Sequence, residues 1–165
     1  MNYFTQELLI QLITSALCSM AFAVIFRVAP RHLLPSSLAG MFVWLIYYTV
    51  DFFKLSVFLA AFASTALATV FAELYARGRK TPAIVILSPA VIPIVPGADL
   101  YYTMKYAISA DLTLAGEYLG KALAIGLGIA AGIVVVTIIM RMSFDAVAKI
   151  KRKNISTETE STKPE

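Results

Sequence analysis

Five long apolar runs, separated by short clusters of charged and turn-forming residues, dominate the chain. They lie at about residues 8–26, 36–50, 55–75, 82–104 and 117–140. Most approach the roughly 20 residues that a helix needs to cross the hydrocarbon of a bilayer. The pattern predicts an all-α integral membrane protein of five transmembrane helices. The second run is short, about 22 Å if helical. Pro30 and Pro35 are expected to keep the connection ahead of it non-helical.

Within the runs, small and polar residues recur at four-residue spacing. Gln11, Ser15, Ser19 and Ala23 share a face of the first span, as do Ala60, Ser64, Ala68 and Ala72 in the third. Such stripes mark close helix packing in membranes, or else a wet pathway. Thr65, Thr69 and Glu73 form a neighbouring stripe that would line an aqueous path, unless Glu73 pairs with Arg77 at i, i+4. In the fifth span, Gly116, Gly120, Ala124, Gly128 and Gly132 form the longest small stripe. It predicts a right-handed, close helix crossing, with another helix of this chain or with a second subunit.

The fourth run differs from the rest. Pro89, Pro93, Pro96 and Gly97 interrupt it near its middle. Proline removes a backbone donor and clashes with the preceding turn, so a continuous helix here is not expected. Irregular backbone at membrane depth persists only where protein buries it or water reaches it. The run is therefore read as a broken fourth span and a candidate binding site; a kink kept for packing alone is the alternative. Thr81-Pro82 reads as the N-cap and first residue of its opening helix.

Composition narrows the class. Hydrophobic residues make up 59% of the 165 residues, charged residues 15%, and the mean hydropathy is +0.79. Soluble domains carry about 25% charged residues, and five spans leave no room for a soluble enzyme domain. No metal-ligand cluster, nucleophile–base pair or phosphate loop is evident, so neither an enzyme nor a resident cofactor is expected. The single Cys18 permits no internal disulfide. No signal peptide is evident, because Glu7 rather than a basic segment precedes the first run.

The basic residues report orientation rather than nucleic-acid binding, and no nucleic acid is expected as a partner. With five spans, Arg27 and Arg31, Arg77 to Lys80, and Arg141 to Lys153 fall on one side. Lys54, Lys105 and Lys121 fall near the other. The positive-inside rule then places the amino terminus outside a cell membrane and the carboxyl terminus in the cytoplasm. His32, beside two arginines, is expected at the interface rather than as a metal ligand. Residues 1–153 form the membrane domain; 154–165, polar and poor in apolar residues, read as a disordered cytoplasmic tail.

If the fourth span unwinds near Pro93 to Gly97, a second half-helix begins around Ala98. Its free amides and positive dipole end would face the membrane interior and suit a carboxylate. Asp99, in the first turn, would stabilise that helix start, take up a proton, or bind a substrate ammonium. It is the candidate for proton coupling. Tyr101, Tyr102 and Lys105 would lie toward the outer boundary, where Tyr102 can hydrogen-bond substrate.

The sequence Pro93-Ile94-Val95-Pro96-Gly97, followed by Tyr101, Tyr102, Thr103 and Met104, resembles the signature of the threonine/serine exporter family. More closely, it is similar to a short five-helix subunit that matches the C-terminal half of fused exporters. The likeness extends upstream through Leu38, Ala39, Gly40, Trp44, Tyr47, Glu73, Ala76, Arg77 and Pro82. It implies export of small amino acids such as threonine and serine, or of related small carboxylates, driven by the proton gradient. It also implies a second five-helix subunit, because fused members hold two such halves and an odd span number inverts one against the other. The expected substrate-binding residues are then Pro93, Pro96, Gly97, Ala98, Asp99 and Tyr102. The competing class is a non-transporting membrane scaffold or assembly subunit built on the glycine stripe, and a passive channel is a third.

Overall fold

The computed structural model describes the backbone of residues 2–161 and the side chains of residues 6–144. Among the described residues the fold is helical, without strands. The helices are α1 (Asn2–Ile25), α2 (Pro30–Phe52), α3 (Val57–Arg79), α4 (Ile84–Val91), α5 (Gly97–Ile108) and α6 (Leu112–Ser161), with a 3-10 turn over Ile92–Ile94. Four helices are long and apolar enough to cross a membrane, and a fifth span results if the bent pair around α4 and α5 is taken as one.

The distribution of residue types is that of a protein dissolved in lipid. Leu9, Ile13 and Leu17 face outward from α1, whereas Ser15, Ser19 and Ala23 face inward and are buried. On α3, Leu67, Phe71 and Leu74 point out while Ala60, Ser64, Ala68 and Ala72 point in. Hydrocarbon solvates the large side chains, so nothing drives them inward. Close van der Waals approach of backbones then decides the interior, and small residues allow it. Buried hydroxyls satisfy themselves locally: Ser64 donates to the carbonyl of Ala60 at 2.8 Å and Thr69 to that of Thr65 at 2.7 Å.

Helices α2 and α3 occupy the middle, with α1 and α4 packed on α2 and with α6 packed on α3. The apolar core joins Ala39 and Val43 of α2, Ala68 and Ala72 of α3, and Ile86, Leu87, Ala90 and Val91 of α4. Ile94 of the 3-10 turn closes it from one end. α5 lies against α6 and buries none of its residues within this chain.

Two helix starts differ from the sequence expectation. α2 begins at Pro30 and carries Pro35 inside it, so its 23 residues span about 35 Å rather than 22 Å. Pro30 needs no donor in the first helical turn, and Pro35 costs α2 one bond near its end. There the Ser36 hydroxyl donates to the His32 carbonyl at 2.8 Å. In turn, α4 starts at Ile84 after Ala83, and Thr81 does not cap it. Thr81 instead closes the end of α3, its amide donating to the Ala76 carbonyl at 3.0 Å.

The glycine stripe of α6 divides. A Cβ on Gly128 would lie 2.7 Å from the Phe58 carbonyl oxygen, and one on Gly132 2.8 Å from that of Phe62. These two glycines seat α6 on the α3 backbone. A Cβ on Gly116 or Gly120 would meet nothing within 4 Å in this chain. Each four-residue step advances about 40° beyond a full turn, so the stripe rotates by about 160° between Gly116 and Gly132. One straight neighbour cannot meet all of it. The inner face of α6 instead follows Ala115, Ala122, Ile125, Gly128 and Gly132, which are buried. Thr65 and Thr69 are also buried, with Thr65 against Gly132, and they line no aqueous path within this chain. Glu73 pairs with Arg77 at 3.6 Å, and that guanidinium lies 3.5 Å over the Phe144 ring.

α6 continues as helix to Ser161, past Asn154 where the sequence predicts loss of order. The side chains after Phe144, and residues 162–165 altogether, lie outside the described residues. The side chains on both sides of the expected boundary at residue 153 are among these.

Candidate functional site

The interrupted segment is built from its prolines outward. α4 carries Pro89 internally and ends at Val91; the chain tightens into the 3-10 turn at Ile92–Ile94, with Pro93 within it. Val95 is extended (φ −62°, ψ 130°), Pro96 follows at φ −77°, ψ 54°, and helix resumes at Gly97. The two helical parts are bent by 46° relative to each other. The helical interruption thus falls at Val95–Pro96, later than the first proline. Pro93 fits the opening of a short helical turn, where its missing donor is not required.

The Leu100 amide reaches back to the Pro96 carbonyl at 3.1 Å, which leaves the Ala98 and Asp99 amides at the free end of α5. Gly97 and Ala98 are exposed in this chain, Asp99 is half-buried, and a Cβ on Gly97 would meet nothing within 4 Å. The Thr103 hydroxyl donates to the Asp99 carbonyl at 2.7 Å.

On the other side of the segment, Pro93 forms one wall of a cavity of about 260 Å³. Gln11, Thr14, Ser15 and Cys18 of α1 and Trp44 of α2 supply the others. The Trp44 indole N–H donates to Gln11 Oε1 at 3.2 Å, which fixes the amide and leaves its NH2 group to donate elsewhere. Thr14 and Ser15 donate their hydroxyl protons to the carbonyls of Ile10 and Leu12, at 2.7 and 2.9 Å. Their oxygens keep acceptor capacity. The cavity thus combines a donor, hydroxyl acceptors, an aromatic wall and an interrupted helix in mostly apolar surroundings. That combination suits a small polar solute.

The structure does not gather the six expected binding residues into one cavity. Pro93 lines the pocket on the α1–α2 side, Pro96 is half-buried, and Gly97, Ala98 and Asp99 lie at the α5 start. Tyr102 belongs to a cluster that ties α5 to α6. Its ring stacks on Tyr118 at 5.1 Å, the Tyr106 and Tyr118 rings stack at 5.6 Å, and the Lys105 ammonium lies 5.8 Å over Tyr102. That is a packing arrangement of rings and a cation.

Two features escape a reading by sequence alone. The Ser19 side chain, fully buried, fills the notch opposite Gly40, and its hydroxyl has no partner. His32 is 2% exposed, buried within the chain. It receives the Arg31 Nε–H on Nε2 at 3.0 Å, which places its own proton on Nδ1, 3.0 Å from the Tyr75 hydroxyl. The α1 stripe places Ser19 on an inner face but does not announce Gly40 as its neighbour. Nothing in the spacing of His32 and Tyr75 announces their contact. Among the described residues no group of three or more metal-ligating side chains occurs.

A family model described as Threonine/Serine exporter, ThrE, matches residues 11–139. That range contains the α1 wall of the cavity, the interrupted segment and the α3–α6 seat. No curated protein and no solved structure matches the chain.

Proposed function

From a chain that belongs to the threonine/serine exporter family, we propose one subunit of a secondary-active exporter of small amino acids such as threonine and serine, or of related small carboxylates. The observation that carries this reading is the cavity at Pro93, where Gln11, Thr14, Ser15 and Trp44 converge on an interrupted helical segment. The bent pair α4–α5 serves as a broken fourth span, giving five spans in all. The basic clusters then share the cytoplasmic side and the amino terminus lies outside the cell membrane.

Substrate occupies the break between this chain and a second five-helix subunit of opposite orientation. The carboxylate is held at the α5 start by the free amides of Ala98 and Asp99 and by the dipole of that helix. Hydroxyl and ammonium groups are held by the α1 hydroxyls and the Gln11 amide across Pro93. The exposure of Gly97 and Ala98 supports a shared site, because a partner helix can reach these positions without displacing this chain's own side chains. Asp99 is the proton-coupling group by its place in the first turn of α5.

The alternative, a scaffold without transport, would need the glycines of α6 but not the polar wall at Pro93. Efflux of threonine from peptide-loaded cells separates the two readings. Deleting the chain should raise intracellular threonine and slow its release, and deleting a companion five-helix subunit should do the same without an additive effect. Unaltered efflux with disturbed assembly of another membrane protein would favour the scaffold.

A further inference from the structure

A second cavity, of about 490 Å³, opens where the α1–α2 connection meets the start of α4. Its lining includes Arg27, Arg31, His32, Thr81, Ser88 and Pro89. We propose that this basic cavity is an inner vestibule that binds the zwitterionic head of an α-amino acid before it reaches the break. The identity of the ligand rests on the exporter reading; the cavity and its charges do not.

The two guanidiniums are the first argument. Among the described residues no carboxylate pairs with Arg27 or Arg31, since Glu73 is engaged by Arg77. Arg31 spends only its Nε–H on His32, so the guanidinium is oriented from behind while its terminal N–H groups remain available. His32 is itself anchored to Tyr75 of α3. A fixed guanidinium beside a second one is a carboxylate receptor by geometry and charge.

Thr81 Oγ1 is the second argument. Thr81 lines the same cavity, and its Oγ1, shielded from solvent, has no hydrogen-bond partner. An orphaned buried hydroxyl is costly unless it turns toward a partner, and a threonine at a cavity wall can turn toward a ligand. Its lone pairs suit an ammonium, a group that an amino acid carries beside its carboxylate and a phosphate does not.

Position is the third argument. Ser88 and Pro89 line this cavity and Pro93 lines the other, one helical turn of about 5.4 Å further along the same segment. Ser19, Ala23, Gly40 and Ala90 are buried, and Ser19 fills the notch at Gly40 with the Ala90 carbonyl 3.6 Å from that glycine's Cβ position.

The test uses inside-out vesicles from cells expressing the full chain together with its companion five-helix subunit, with uptake of radiolabelled L-threonine across a concentration series. In Arg27→Gln/Arg31→Gln the half-saturating concentration should rise about tenfold, the scale of one lost charge-assisted contact. Arg27→Gln alone, which leaves the Arg31–His32 bond intact, should give part of that rise. An unchanged half-saturation in both variants overturns the vestibule and leaves the exporter reading standing. So does a rise seen only in membranes containing phosphatidylglycerol, which would assign the arginines to lipid phosphate. If wild-type vesicles take up no threonine, the exporter reading fails, and equilibrium binding to the purified chain in phosphatidylcholine nanodiscs decides the vestibule. Threonine binding weakened about tenfold by the arginine substitutions, with threonine amide binding unaffected, supports it. Equal binding, or no binding to wild type, overturns it.

Discussion

Ser19 occupies the space that Gly40 leaves by having no side chain: a Cβ on Gly40 would fall 2.5 Å from Ser19 Cβ and 1.7 Å from Ser19 Oγ. The Ser19 hydroxyl can rotate away, but its Cβ cannot, so α1 and α2 are in backbone-to-side-chain contact at this level. Gly40→Ala is expected to destabilise the protein by about 2 kcal/mol, the usual scale of an overpacked contact. Ser19→Gly should relieve the clash when combined with it. Thermal unfolding of the single and double variants in detergent measures this directly. Additive losses in the double variant would show that the two residues do not press on each other.

The α3–α6 seat yields a sharper contrast. Gly128→Leu should prevent close approach to the Phe58 backbone and cost the fold several kcal/mol, or prevent its accumulation in the membrane. Gly120→Leu, on open surface in this chain, should leave unfolding of the isolated chain within about 0.5 kcal/mol of wild type. Equal tolerance of both substitutions would contradict the assignment of Gly128 to the contact.

The helical framework was legible because large and small residues alternate with helical period along each apolar run. Ala60, Ser64, Ala68 and Ala72 mark the inner face of α3 without ambiguity. The interruption near Pro93 to Gly97 was legible too, since proline and glycine act locally. The break residue was not: Pro93 can open a 3-10 turn or end a helix, and the packing of Ile94 into the core favours the former. The α2 start was misjudged because Pro30 and Pro35 read as breakers, whereas the first turns of a helix tolerate them. Of the glycine stripe, only Gly128 and Gly132 meet α3, because four-residue spacing drifts around a straight helix and leaves Gly116 and Gly120 open in this chain. Contacts between distant helices, such as His32 with Tyr75 or Trp44 with Gln11, have no signature in the chain.

Ala110 ends the connection after α5 with φ 60°, a left-handed conformation that a Cβ disfavours. Glycine adopts it without that cost. Ala110→Gly should therefore raise stability by about 0.5–1 kcal/mol, read as a higher unfolding temperature at unchanged transport. Lower stability would mean that the methyl group packs against something more valuable than the strain it causes.

Asp99 lies in the first turn of α5 with its carbonyl held by Thr103. Asp99→Asn keeps shape and hydrogen-bonding size but removes the ionisable group. Export driven by a pH gradient should fall by tenfold or more, on the order of the loss of a proton carrier, while exchange of labelled for unlabelled threonine without a gradient persists. The same pH dependence as wild type would dismiss Asp99 as the proton carrier and leave the site in place.

The most direct measurement concerns the interruption itself. Threonine efflux from peptide-loaded cells is compared between wild type and Pro93→Ala/Pro96→Ala/Gly97→Ala at matched membrane abundance. Alanine permits a continuous helix through Ile92 to Ala98, which would remove both the free end of α5 and the Pro93 wall of the cavity. The account predicts that efflux falls to the level of the deletion strain while the protein still inserts and assembles. Efflux at the wild-type rate would contradict it and reduce the interruption to a kink kept for packing.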